Sequence, residues 1–167
     1  MTHNRLATPK QYAGAIQYYD TIPKRYRLKT YAGRYRNKDT WDRYMEEVLL
    51  KQYDSDRMRQ AARLAGTSWK DHMEDRGRHH ALASPRDVEA WCDTLLEDKV
   101  PKTCYEYYFL RIYDFYDYLK TDFQHPHLYN PVLLAAINHS AARTIWMVRV
   151  KRRREKAAKR QTEERDE

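Results

Sequence analysis

The chemistry this chain can offer is concentrated in cations near its two ends. From Arg149 to Arg160, eight of twelve residues are Lys or Arg and one is acidic; Arg149, Lys151, Arg152, Arg153 and Arg154 open the run. Each cation laid against a polyanion releases condensed counterions, so this is the composition of a phosphate-binding element. The plainer expectation is a solvated tail kept for solubility. Residues 1–38 hold nine Lys/Arg, Lys24 and Arg25 among them, against one acid, Asp20. Six tyrosines are interleaved there: Tyr12, Tyr18, Tyr19, Tyr26, Tyr31 and Tyr35. Such rings can stack on bases, but most are expected to cover the body while the arginines face water. Residues 39–148 reverse the balance, with 14 basic and 18 acidic side chains, so the ends carry the excess behind the net +8.

Other chemistries are poorly served. His79, His80, His125 and His127, with Cys92 and Cys104, invite a metal reading. No Cys-x-x-Cys or His-x-x-x-His spacing supports it, and turn or capping roles are expected for the histidines. There is no Gly-rich phosphate loop, no Ser/His/Asp order and no paired-carboxylate signature. An independent enzyme is therefore not expected, nor a metal or other cofactor. Two cysteines make no disulfide framework, which suits a reduced cytoplasmic setting. Met1-Thr2-His3-Asn4-Arg5 lacks the apolar run of a secretory signal, and mean hydropathy is −1.05. No stretch approaches the roughly 20 apolar residues of a membrane span, so no membrane partner is expected.

The elements that must position these cations read as helices. A chain of 167 residues has room for one domain plus arms. Four Gly and six Pro are too few for the turns of an all-β fold. Residues 1–38 read as a basic arm or short helix, with Pro9 to Tyr19 as its helical part. A first helix spans about Asp39 to Tyr53, with Trp41, Tyr44, Met45, Val48 and Leu49 on one face. A second, capped by Asp54 or Ser55, runs to about Arg76 with Gly77 as its stop. Its apolar face is Met58, Ala61, Ala62, Ala65, Trp69 and Met73; Arg59, Arg63 and Lys70 lie opposite, and Arg57 near the edge. Ser84, Pro85 and Asp87 open a third helix through a cap and first-turn proline. A fourth starts near Pro101 and carries a wide stripe from Tyr105 to Leu119, with Glu106, Asp114 and Asp117 opposite. Residues 133–167 add a basic helix, which Ser140 can cap, with the last seven residues frayed.

Between residues 84 and 132 the order of signals becomes specific. Ser84-Pro85-Arg86-Asp87-Val88-Glu89-Ala90-Trp91 is followed by Leu95-Leu96-Glu97 and Pro101-Lys102-Thr103. Phe115-Tyr116-Asp117-Tyr118-Leu119 and Asn130-Pro131-Val132 come next. Residues 39–132 thereby resemble the N-terminal core-binding domain of tyrosine recombinases and phage integrases, a SAM-like four-helix module. The resemblance implies half of a clamp around duplex DNA, its second and fourth helices toward the major groove. Lys102 and Thr103 are the residues carried over by position. Arg57, Arg59, Arg63 and Lys70 follow more loosely, from their helix face. The family's catalytic domain supplies two arginines, a lysine, a His-x-x-Arg motif and a nucleophilic tyrosine. Only 36 residues follow Pro131, and no His has Arg three residues later.

The expectation is thus an all-α DNA-binding protein, an accessory or regulator of recombination, integration or transcription that is not itself catalytic. Double-stranded DNA is the expected partner, with a separately encoded recombinase or a second copy of the chain as further partners. The expected location is the nucleoid. RNA binding is a weaker possibility. The competing expectation is a helical protein–protein adaptor, since a DNA-facing body would not choose a net acidic balance.

Overall fold

The computed structural model describes residues 8–166; Met1 to Arg5, read above for a signal-like run, lie outside them. Among the described residues the chain is all-helical, without strands. Six helices organise it. Helix α1 covers residues 40–52, and α2 is Asp56–Asp75, α3 Pro85–Asp98, α4 residues 101–121, α5 Pro131–Asn138 and α6 Ser140–Asp166.

Local chemistry sets most starts. Asp39 caps α1 by accepting from the Asp42 amide at 3.0 Å. Ser55 caps α2, and Ser84 with Asp87 forms a reciprocal capping box on α3. Gly77, at φ +72°, takes the left-handed turn after α2 that a side chain would strain. Asn130 gives the Asn-Pro pair a structural role. Its Oδ1 accepts from the Val132 and Leu133 amides, while Nδ2 donates to the Tyr113 carbonyl and to Asp117. Both α1 and α4 contain a π segment, Met45–Leu49 and Cys104–Phe109. Arg111, which is buried, donates to the Tyr107 carbonyl of the second at 2.7 Å.

Four tryptophans, one each from α1, α2, α3 and α6, anchor the core and are at most 1% exposed. Trp41 lies edge-on to Phe115 at 5.3 Å and against Gly66, where an added Cβ would stand 1.9 Å from its Nε1. Trp69 meets Trp91 at 5.0 Å and donates to the His80 carbonyl at 2.8 Å. Trp146 packs on Tyr113 at 5.7 Å. The apolar core runs unbroken from Ile22 to Val150. Helix α5 packs on α3, α4 and α6, and the start of α6 packs on α3 and α4, so residues 133–150 share the core of the preceding helices.

Residues 8–39 form no extended arm. They make a single helical turn at Lys10–Ala13 and short turns thereafter. Ile22, Leu28 and Tyr35 are buried, and Tyr12, Tyr19 and Tyr31 pack on the core; only Tyr18 and Tyr26 stay exposed. The histidines occupy turns around Tyr35. His79 donates to the Lys38 carbonyl, His80 accepts from the Trp41 amide, and His127 donates to the Ala81 carbonyl. Tyr35 donates to His125 Nδ1 at 2.5 Å. Among the described residues no His, Cys, Asp or Glu group has metal-binding geometry, and no helix is long and apolar enough to cross a membrane.

Candidate nucleic-acid interface

Helix α6 has two halves with different physics. Through Val150 it buries Ala141, Ala142, Ile145, Trp146 and Val150. Beyond Val150 its only apolar residues are Ala157 and Ala158, and all but Arg152 are exposed. At 1.5 Å per residue, residues 151–166 extend about 24 Å. A free helix of this length is marginal in water, so its anchored half matters. Glu89 of α3 supplies the anchor. Its carboxylate accepts from the Ala141 and Ala142 amides at 2.6 and 2.9 Å, placing an anion on the positive end of α6. Ser140, expected as the cap, does not fill that role. The last residues, expected to fray, continue the helix to Asp166.

The anchored helix orders the cations. Arg149, Arg152, Arg153, Lys156, Lys159 and Arg160 recur at three- and four-residue steps and share one face; Lys151 and Arg154 fall on the other side. At the root, protein contacts hold the first of them. The Arg149 guanidinium lies 4.7 Å from the Tyr12 ring and 4.9 Å from Trp146, and Arg153 lies 5.8 Å from Tyr12. Tyr12 also meets Trp146 edge-on at 5.6 Å, so the N-terminal turn is latched onto α6. Arg152 pairs with Glu106. Lys156, Lys159 and Arg160, with Lys151 and Arg154, are exposed and carry no ion pair among the described residues.

A groove of about 870 Å³ opens between this face and α4. Its α6 wall is Arg149, Arg152, Arg153, Lys156 and Lys159; Asp114 and Asp117 stand on the α4 wall. Glu155 is the one acid on the α6 wall, and Tyr12, Tyr105, Tyr113 and Leu110 complete the lining. Asp114 is solvent-exposed by area, yet crowding between the walls, and then the charge of Asp117, push its carboxyl up to about 6 against the opposing pull of Arg149. Burial pushes the Tyr105 and Tyr113 hydroxyls up, so both stay protonated donors.

The body cations fare differently. Arg59 folds back onto the end of α1, donating to the Tyr53 and Leu50 carbonyls at 3.1 and 3.4 Å, with Asp56 at 3.8 Å. Lys70 is held by Asp39 at 2.9 Å and Asp42 at 3.5 Å. Both were expected on an open solvent face, and helical spacing cannot see partners supplied by α1. Arg57 and Arg63 remain exposed on α2, whose eight charged residues split four basic to four acidic. Lys102 is exposed and Thr103 half-buried at the start of α4. Lys24 and Arg25 are exposed in one short turn, with Arg25 4.7 Å from the Tyr26 ring. Further body cations are matched locally, Arg43 by Glu47 and Arg76 with Arg78 by Asp87. The structure therefore gathers the C-terminal candidates on one helix and leaves those of α2 and α4 dispersed. Sequence reading placed Asp114 and Asp117 opposite the apolar stripe of α4 but missed that they face the α6 cations, and it missed the Tyr12 latch.

Comparison with protein-family models, with curated proteins and with solved structures found no match for this chain.

Proposed function

We propose that this protein binds duplex DNA through the outer half of α6, with the helical body as the platform that aims it. The observation that carries the reading is the exposed set Lys151, Arg154, Lys156, Lys159 and Arg160, without an ion pair among the described residues, on the outer half of α6, which has no apolar stripe. An α-helix with side chains is about 10–12 Å across and the DNA major groove about 12 Å wide. A helix in that groove meets phosphates on both sides, which suits cations on more than one face. A membrane surface would instead need an apolar face. The role is that of an accessory or regulator of recombination, integration or transcription. The resemblance to the recombinase core-binding module belongs to this proposal too. Its contact surface here differs, since α2 is neutral and its Arg59 and Lys70 are engaged within the protein.

A polarisation titration of the full chain against a 30-base-pair duplex at two salt concentrations tests the reading. Binding that weakens steeply with salt is expected. Absence of binding at low salt, or binding without salt dependence, rejects it. The competing adaptor role would have to use exposed apolar side chains of the body, such as Leu64, Val100 and Phe123. Single exposed apolar residues are common, and these three do not by themselves define an interface.

A further inference from the structure

We infer that the groove between α4 and the root of α6 is a nucleoside phosphate site, with the base toward Asp114 and Asp117 and the phosphate toward Lys156 and Lys159. The inference rests on the nucleic-acid reading above and adds a ligand class to it. The groove differs from the outer helix in kind. It is concave, its volume of about 870 Å³ lies within the roughly 300–1,000 Å³ usual for small-molecule sites, and its two walls carry opposite net charge, five cations outweighing Glu155 on the α6 side. A bare polyanion would be repelled by Asp114 and Asp117, and a simple cation by the α6 wall. A ligand with an anionic end and a hydrogen-bond-donating end satisfies both.

The roles divide by what is already engaged. Arg152 is taken by Glu106, and Arg149 and Arg153 lie over Tyr12. Lys156 and Lys159 are the groove cations with neither an ion pair nor an aromatic ring contact among the described residues, so the phosphate is placed there. On the other wall Asp117 already accepts from Asn130 at 3.1 Å, which leaves the exposed Asp114 as the freer acceptor. Half-buried Tyr12 and Leu110 supply apolar surface for a ring.

Ionised carboxylates only accept hydrogen bonds. They therefore select bases that present amino donors, and a base read on its unpaired edge presents these directly. Guanine offers N1–H beside N2–H₂, and cytosine offers N4–H₂. Uracil and thymine flank their one N–H with carbonyls, which would face the carboxylate unfavourably. The same chemistry comes from a free mononucleotide or from an unpaired nucleotide at a strand end.

Isothermal titration of the full chain with GMP, CMP, UMP and inorganic phosphate at pH 7.5 tests the assignment. GMP is expected to bind at least tenfold more tightly than UMP or phosphate. Asp114→Asn should bring GMP and UMP within about twofold of each other, and a Lys156→Gln/Lys159→Gln variant should weaken all nucleotides at least tenfold. Circular dichroism matching the parent chain establishes that both variants fold. A duplex with an unpaired 3′ dG against one with an unpaired 3′ dT separates strand end from free nucleotide; preference for dG, or GMP binding without it, supports the shared chemistry in either form. Equal binding of GMP, UMP and phosphate overturns the inference. So does duplex binding with no nucleotide binding, which would leave the duplex reading intact. Nucleotide binding without duplex binding would uphold the site and sink that reading.

Discussion

Acidification should destabilise this protein well above the pH at which carboxylates titrate. His80 is buried, and its Nε2 accepts the Trp41 amide at 3.1 Å, a role only neutral imidazole can fill. Burial, then the adjacent His79, depresses its pKa to about 3. His127 is 3% exposed, donates Nε2–H to the Ala81 carbonyl at 2.6 Å and leaves Nδ1 without a partner; burial depresses it to about 4. In the unfolded chain both titrate near 6.5. Below that pH the unfolded state binds more protons than the folded one, so stability falls as pH falls. At pH 5 the gap from 6.5 is about 1.5 units, which costs about 2 kcal/mol per histidine and about 4 kcal/mol for the pair. That is a large part of the roughly 5–15 kcal/mol that holds a domain folded.

Burial also holds His72, His79 and His125 below their ordinary value, so they add to the decline in the same window. Asp39 and Asp87, held low by hydrogen bonds and basic neighbours against the upward pull of burial, cost stability only as pH drops below about 4. Asp114, raised, favours the folded state as pH falls through 6, but its exposure leaves that contribution small. Urea denaturation followed by far-ultraviolet circular dichroism at pH 7, 6 and 5 measures the slope. Stability should decline by at least 2 kcal/mol between pH 7 and 5, with His80 and His127 still neutral by NMR at pH 5. Constant or rising stability over that range refutes the reasoning.

Three further outcomes test the packing. Gly66→Ala places a Cβ against the Trp41 ring, and should lower stability by about 1–3 kcal/mol through forced displacement of that indole, read as a reduced melting temperature. Glu89→Ala removes the anionic partner of the α6 amides and should cost about 1–2 kcal/mol, with helical ellipticity lost from α6. Asp87→Asn removes the charge that pairs with Arg76 and Arg78 and weakens the α3 capping box; because both arginines are about 40% exposed, the cost in urea denaturation should be about 1–2 kcal/mol.

What was legible in the sequence follows the range of the interaction. The Ser84-Pro85-Asp87 start, the Gly77 stop and the stripe from Tyr105 to Leu119 are set within a few residues, and all reappear in the structure. Arg59 and Lys70 were misplaced because their partners come from α1, across the α1–α2 turn for Arg59 and 31 residues away for Lys70. Glu89 reaches α6 across 52 residues, so the true anchor of the basic helix left no local trace. The aromatic N-terminal segment was harder still. Its poor periodicity reflects single turns docked one at a time, as when the Leu28 amide donates to the Tyr129 hydroxyl at 3.0 Å. The basic run itself was plain, whereas the groove beside it depends on how α4 and the Tyr12 turn meet that run.

The most direct test of the central claim replaces Lys151, Arg154, Lys156, Lys159 and Arg160 by Gln, which keeps good helix formers on the exposed half of α6. The measurement is the slope of log affinity against log salt for a 30-base-pair duplex, for parent and variant. Each phosphate that a cation no longer neutralises removes about 0.9 from that slope, so removing all five cations should flatten it by up to about 4.5. Affinity at low salt should fall by at least a hundredfold. A variant that keeps its fold and binds DNA with the parent's slope would contradict the claim that this helix is the contact element.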